Sequence, residues 1–184
     1  MSITKLYTAE DLFALGSDAH FELIDGELQD VPSSGMYSSS LSVRLLIKLG
    51  SYVERHDLGV LTGEDGGYVL QRSPDRVVSP DIGFVRKDRL PGGEAPEFFC
   101  PVPPDLAIEI MSATDRLIDA ERKVQRYLDA GTPLVWLVIS KTRTVRVYGP
   151  GREPSDLVSG DVLDGEEVLP GFRLPVADVF PGRR

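Results

Sequence analysis

Cysteine occurs once in the 184 residues, as Cys100, and histidine twice, as His20 and His56. A single thiol excludes an internal disulfide and every multi-cysteine zinc site. Two imidazoles are too few for the zinc centres that need three. Any metal held by this chain takes mainly oxygen donors, which suits Mg²⁺ or Mn²⁺. Long apolar runs are also missing: 134–139 is among the longest, far short of the roughly 20 residues of a membrane span. The opening residues carry Lys5, Glu10 and Asp11 and no apolar core of a secretory signal. These absences lead us to expect a cytoplasmic protein without membrane association. Basic residues are in the minority, 20 Lys and Arg against 29 Asp and Glu, for a net charge of −9. Such a balance does not suit a protein that coats nucleic acid, although it permits a local basic groove. The chain has no P-loop, no dinucleotide fingerprint and no Gly-x-Ser-x-Gly elbow.

At this length one domain spanning 1–184 is expected. Thr8 followed by Asp11 reads as a capping-box start to a short helix over 8–15. Phe21-Glu22-Leu23-Ile24, then Asp25-Gly26, then Glu27-Leu28-Gln29 predicts a hairpin with a two-residue turn. Leu41, Leu45, Leu49 and Val53 recur at helical spacing within 39–56. Segments 58–61, 67–71 and 77–85 read as strands, and the five prolines of 91–104 predict a long surface loop. Next come an alternating strand over 105–111 and a helix over about 115–130, capped by Ser112 or Thr114 and stopped by Gly131 and Pro133. A hairpin of 134–140 with 145–149 follows, then an acidic tail with strand signals near 156–158 and 172–174. Together these give an α/β (α+β mixed) domain, a mixed sheet flanked by few helices.

Carboxylates at strand ends are the candidate chemistry. Asp81 follows Pro80 in an otherwise apolar segment, with Ile82 and Phe84 on the opposite face. Alternation puts Asp105, Ala107, Glu109 and Met111 together, away from Leu106, Ile108 and Ile110. A carboxylate among such neighbours needs an arginine, a proton or a metal. If Asp81 faces Glu109, their repulsion makes a cation site natural; salt-bridged strand-edge acids are the alternative. Glu22 and Glu27 share one face of the hairpin, so either can reach a metal at the sheet edge, or both belong to a solvated face. Lys123 flanks the helical stripe Leu117, Ala120, Val124, Tyr127 and Leu128. It can bend toward the sheet or pair, exposed, with Asp119. Arg116, Arg122 and Arg126 lie on the same helix as a basic cluster.

Four segments occur in order: Phe21-Glu22-Leu23-Ile24-Asp25-Gly26-Glu27-Leu28, Ser79-Pro80-Asp81-Ile82, 104–112 around Ile108-Glu109-Ile110, and Lys123-x-x-x-Tyr127 leading to Ala130-Gly131-Thr132-Pro133. In this the chain closely resembles the Uma-two restriction-endonuclease family, a bacterial branch of the PD-(D/E)XK nuclease-like superfamily, from about residue 8 to 180. The resemblance implies a restriction-endonuclease-like core, a mixed central β-sheet flanked by helices, with the N-terminal β-hairpin attached. It implies that Asp81 and Glu109 are metal carboxylates, and that Glu27 is a further acid of the site. The superfamily's lysine position holds Met111, and the resemblance implies that Lys123 of the following helix takes its part. Members often carry a histidine at the start of the long helix, where this chain has Ser38.

The expected function is therefore a Mg²⁺- or Mn²⁺-dependent endonuclease that hydrolyses DNA phosphodiesters. Asp81, Glu109 and the Ile110 carbonyl would hold the metal, Glu27 would assist directly or through water, and Lys123 would serve as the cation. A homodimer is expected, because cutting both strands takes two active sites or two visits by one. The alternative is a non-catalytic binding or assembly protein that keeps the fold.

Overall fold

The structure, a computed structural model, describes residues 5–16, 20–180 and 182. Thr8 starts the first helix, α1 (Ala9–Ala14), through the anticipated capping box: its hydroxyl accepts Asp11 N–H at 3.1 Å and Asp11 Oδ2 accepts Thr8 N–H at 2.9 Å. The hairpin forms as read, β1 (Phe21–Ile24) against β2 (Glu27–Asp30). Asp25 and Gly26 both take positive φ, 53° and 83°, the backbone that a two-residue turn between twisted strands requires. The long helix α2 (Met36–His56) starts three residues before the periodicity signals it and buries Leu41, Leu45, Leu49 and Val53.

The segment 77–85 is not one strand. After β3 (Gly59–Thr62) and β4 (Tyr68–Gln71), the chain forms β5 (Arg76–Val78), breaks at Ser79-Pro80-Asp81, and resumes as β6 (Ile82–Arg86). Pro80 has no N–H for a ladder, and here the chain passes from one sheet to another. The smaller sheet has the order β2-β1-β5-β4. The larger runs from β3 and β6 through β7 (Leu106–Met111), β8 (Leu134–Ile139) and β9 (Thr144–Tyr148) to β10 (Ser155–Leu157). Among the described strands of this sheet only β7 and β8 pair in parallel, linked by α3 (Leu117–Asp129). The tail adds a two-stranded ribbon, β11 (Val162–Asp164) with β12 (Arg173–Pro175), and a terminal turn of helix, α4 (Val176–Val179).

The larger sheet is covered on both faces, so all six residues of β7 are buried. On one side the α2 stripe packs with Ile82, Phe84, Ile108 and Trp136. On the other, Val124 and Tyr127 of α3, with Ile24 and Val78 of the smaller sheet, meet Ala107, Met111, Val135 and Leu137. Each Val, Leu, Ile, Phe or Met side chain taken from water here is worth roughly 1.5–3 kcal/mol. Gly83 lacks a side chain for a packing reason, since a Cβ there would lie 2.3 Å from the Tyr68 hydroxyl and 2.6 Å from its ring.

Two further local expectations are corrected. The prolines of 91–104 make no simple surface loop: Cys100 is buried and bridges Tyr68, exchanging backbone hydrogen bonds of 2.9 Å with Gly67 and Val69. Neither Ser112 nor Thr114 caps α3, whose N-cap is Arg116; Asp115 instead accepts Ser112 N–H at 2.6 Å. Among the described residues no helix is long and apolar enough to cross a membrane.

Candidate active site

β6 pairs with β7 from Ile82 opposite Ile108 to Phe84 opposite Leu106, so Asp81, the residue just before β6, comes to the end of β7 that carries Glu109 and Ile110. Pro80 has no N–H to offer the β7 ladder, and the Ile110 N–H is taken by a side chain: Asp81 Oδ2 accepts it at 2.6 Å. A strand residue directs its N–H and C=O to the same side, so the Ile110 carbonyl opens toward Asp81 as well.

Glu109 points from β7 toward α3. Its Oε1 accepts the Tyr127 hydroxyl at 2.7 Å and lies 3.1 Å from Lys123 Nζ. Lys123 also sits 2.9 Å from Glu22 Oε1 and donates to the Ser79 carbonyl at 3.3 Å. The three N–H groups of the ammonium thus have three acceptors. Glu22 Oε1 in turn accepts Ser79 N–H at 3.0 Å. Ser79, at the interruption before Pro80, is thus held through both its N–H and its C=O by this pair.

Of the acids singled out in the sequence, Asp81 and Glu109 come together with Lys123, and Glu27 does not join them. Although Glu27 shares a face with Glu22, it lies opposite Ile24 at the turn end of the outer strand and is exposed. The inner strand carries Glu22, buried to 7% exposure, into the cluster. Nothing local separates the two acids; only the pairing of β1 with β5 does. The exposed Asp119–Lys123 pair does not form either, because Asp119 pairs with Arg116 and Arg122. Tyr127, read from the sequence as core stripe, is also part of the site. The available signal was a phenol on a sheet-facing helix beside an acid-bearing strand, since a buried hydroxyl needs a partner. Ser38 is buried one turn before Ser42, whose hydroxyl lies 3.5 Å from the Asp81 carbonyl. A cleft of about 290 Å³ opens beside it, between α2 and residues 63–66.

The electrostatics follow from burial. Desolvation pushes the Glu109 carboxyl up to about 7, with Lys123 opposing and Asp81 and Glu22 adding to the rise. Burial raises Asp81 too, against the Ile110 N–H and Lys123, with Glu64 and Asp115 reinforcing it. Burial disfavours the Lys123 ammonium, yet Glu109 and Glu22 outweigh it and raise its pKa. One ammonium is set against three carboxylates, so the cluster is short of positive charge.

Each of those carboxylates is anchored through one oxygen only: Asp81 by Oδ2, Glu109 by Oε1 and Glu22 by Oε1. Their other oxygens make no hydrogen bond among the described residues. These residues contain no group of three or more acidic, histidine or cysteine side chains drawn around one metal-sized point. Two carboxylates and a backbone carbonyl nevertheless fit Mg²⁺ or Mn²⁺, since Mg²⁺ is commonly bound by one or two carboxylates, with water and substrate phosphate as its remaining ligands.

The family model described as Uma2, putative restriction endonuclease, matches residues 8–177. A solved structure, described as a putative nuclease belonging to DUF820 from Anabaena variabilis, shares the fold with a TM-score of 0.82 at 22% identity. The alignment covers 94% of this chain and 97% of that one. No curated protein matches the chain.

Proposed function

Because the chain belongs to the Uma2 family of putative restriction endonucleases, we propose that it is a Mg²⁺- or Mn²⁺-dependent endonuclease acting on DNA phosphodiesters. The observation that carries this reading is the charge deficit at the sheet junction: two buried carboxylates and the half-buried Asp81, each with an oxygen free of hydrogen bonds among the described residues, around a single lysine. Asp81, Glu109 and the Ile110 carbonyl would hold the cation. When bound, such a cation polarises a phosphoryl oxygen and lowers the pKa of water.

The chain's own groups do the rest. Lys123 offers its ammonium to the charge that grows as the phosphorus is attacked. Glu22 and the Ser79 carbonyl aim that ammonium, which replaces the lysine missing at Met111. In this reading the hairpin contributes through Glu22, and Glu27 stays at the rim. We read the chain as one domain, working in the cytoplasm as a homodimer.

The test is Mn²⁺ calorimetry with parallel cleavage of plasmid and linear DNA in Mg²⁺, Mn²⁺ or chelator. Wild type should bind Mn²⁺ and cut only with the metal; Asp81→Asn should lose both. Metal-independent cleavage, or equal Mn²⁺ binding by Asp81→Asn, would sink the assignment. Mn²⁺ binding without cleavage of any DNA would favour the non-catalytic alternative.

A further inference from the structure

Tyr127 has no solvent exposure, and its ring lies between α3 and the sheet among Val124, Ala107 and Leu137. Its one polar atom emerges at the carboxylate cluster, 2.7 Å from Glu109 Oε1. Two donors converge on that oxygen, Tyr127 and Lys123, and they differ in kind. Lys123 is a flexible chain shared among Glu109, Glu22 and Ser79. The tyrosine has two side-chain torsions, both locked by the core, and it is uncharged. Its position therefore does not depend on which ions occupy the site.

We propose that Tyr127 is a positioning residue: its hydroxyl holds Oε1 of Glu109 and so fixes which oxygen is presented to a cation. Without it the carboxylate is free to turn about its last torsion and to give both oxygens to Lys123. The motif Lys123-x-x-x-Tyr127 follows from this division, because a spacing of four puts an ammonium and a phenol on one helix face. The lysine serves the reacting phosphate and the tyrosine serves the ligand. This inference rests on the nuclease reading.

Tyr127→Phe removes one oxygen atom and leaves the ring in place. Partners that orient a metal ligand typically contribute 10–100-fold to metal affinity. Calorimetry should therefore show Mn²⁺ binding weakened about 10–100-fold in Tyr127→Phe, with cleavage recovering toward the wild-type rate at saturating Mn²⁺. Lys123→Met removes the other donor to the same oxygen and a cation that competes for it, so its Mn²⁺ affinity should not fall. Tyr148→Phe, whose hydroxyl lies 3.4 Å from Glu121 and outside the cluster, is the control. Thermal melts in chelator confirm that each variant folds. A folded Tyr127→Phe that binds Mn²⁺ as wild type does would overturn the inference and leave the nuclease reading standing. A wild type that binds no Mn²⁺ would overturn both.

Discussion

At the scale of single residues, Lys123 gathers the most consequences. Wedged between two carboxylates, with its side chain 21% exposed, it is far from the solvated lysine that a pairing with Asp119 would make it. Its removal should act on two observables. Single-turnover cleavage by Lys123→Ala should slow by about two to three decades, the usual effect of losing one donor to transition-state charge. Arg126→Ala, a nearby cation with no ion pair among the described residues, should cleave as wild type does. Stability should also fall, because Glu22 and Glu109 are left facing each other. The cost should be about 1–3 kcal/mol, as for a buried group stripped of its partner. It stays below the roughly 3–5 kcal/mol of a fully buried broken pair, because water reaches part of the lysine and Glu109 can take up a proton. Urea melts of the two variants would show this difference, and equal midpoints would contradict it.

Elements show which information is local. The α1 capping box, the Asp25-Gly26 turn and the buried stripe of α2 depend on neighbours within about four positions, and all are legible in the sequence. What the sequence hides is pairing between distant strands. Residues 77–85 look like one strand because both pieces are apolar, and only their membership of two sheets reveals Pro80 as a crossing. The choice between Glu22 and Glu27 has the same origin. Asp81, Glu109 and Lys123 were readable as candidates, but the Glu22 and Tyr127 contacts required the assembled layers. Asp75 shows a long-range tie of this sort: its carboxylate accepts the Ala9 N–H at 2.8 Å and the Ser73 N–H at 3.1 Å, with Arg72 at 2.8 Å. Burial works against its charge, but these bonds win and hold its pKa below the usual 3.8. A carboxyl depressed on folding stabilises fully above its unfolded value and loses that contribution as pH falls through its folded one. Acid titration below about pH 4 should therefore loosen α1 from β1 and β5. Asp75→Asn should flatten that part of the stability profile, and a profile of unchanged slope would exclude Asp75 as its source.

For the whole molecule, the two sheets share apolar contacts and the carboxylate cluster, so unfolding should be a single cooperative transition. Calorimetric and van't Hoff enthalpies should agree, and two resolved transitions would contradict the one-domain proposal. Light scattering at high micromolar concentration should give the mass of two copies, and a monomer mass there would rule out the dimer. The order of the site residues along the chain has one more consequence. Glu22 and Asp81 precede 91–104, whereas Glu109, Lys123 and Tyr127 follow it, and Glu94 and Ala95 within it are exposed. A chain severed between those two would leave half the cluster on each fragment. The piece carrying Cys100 would keep the backbone groups through which Cys100 bonds to Gly67 and Val69, at the start of β4 in the other. Cation binding by a mixture of fragments, neither active alone, would then report their reunion, so the same joint that builds the site makes it a natural split reporter.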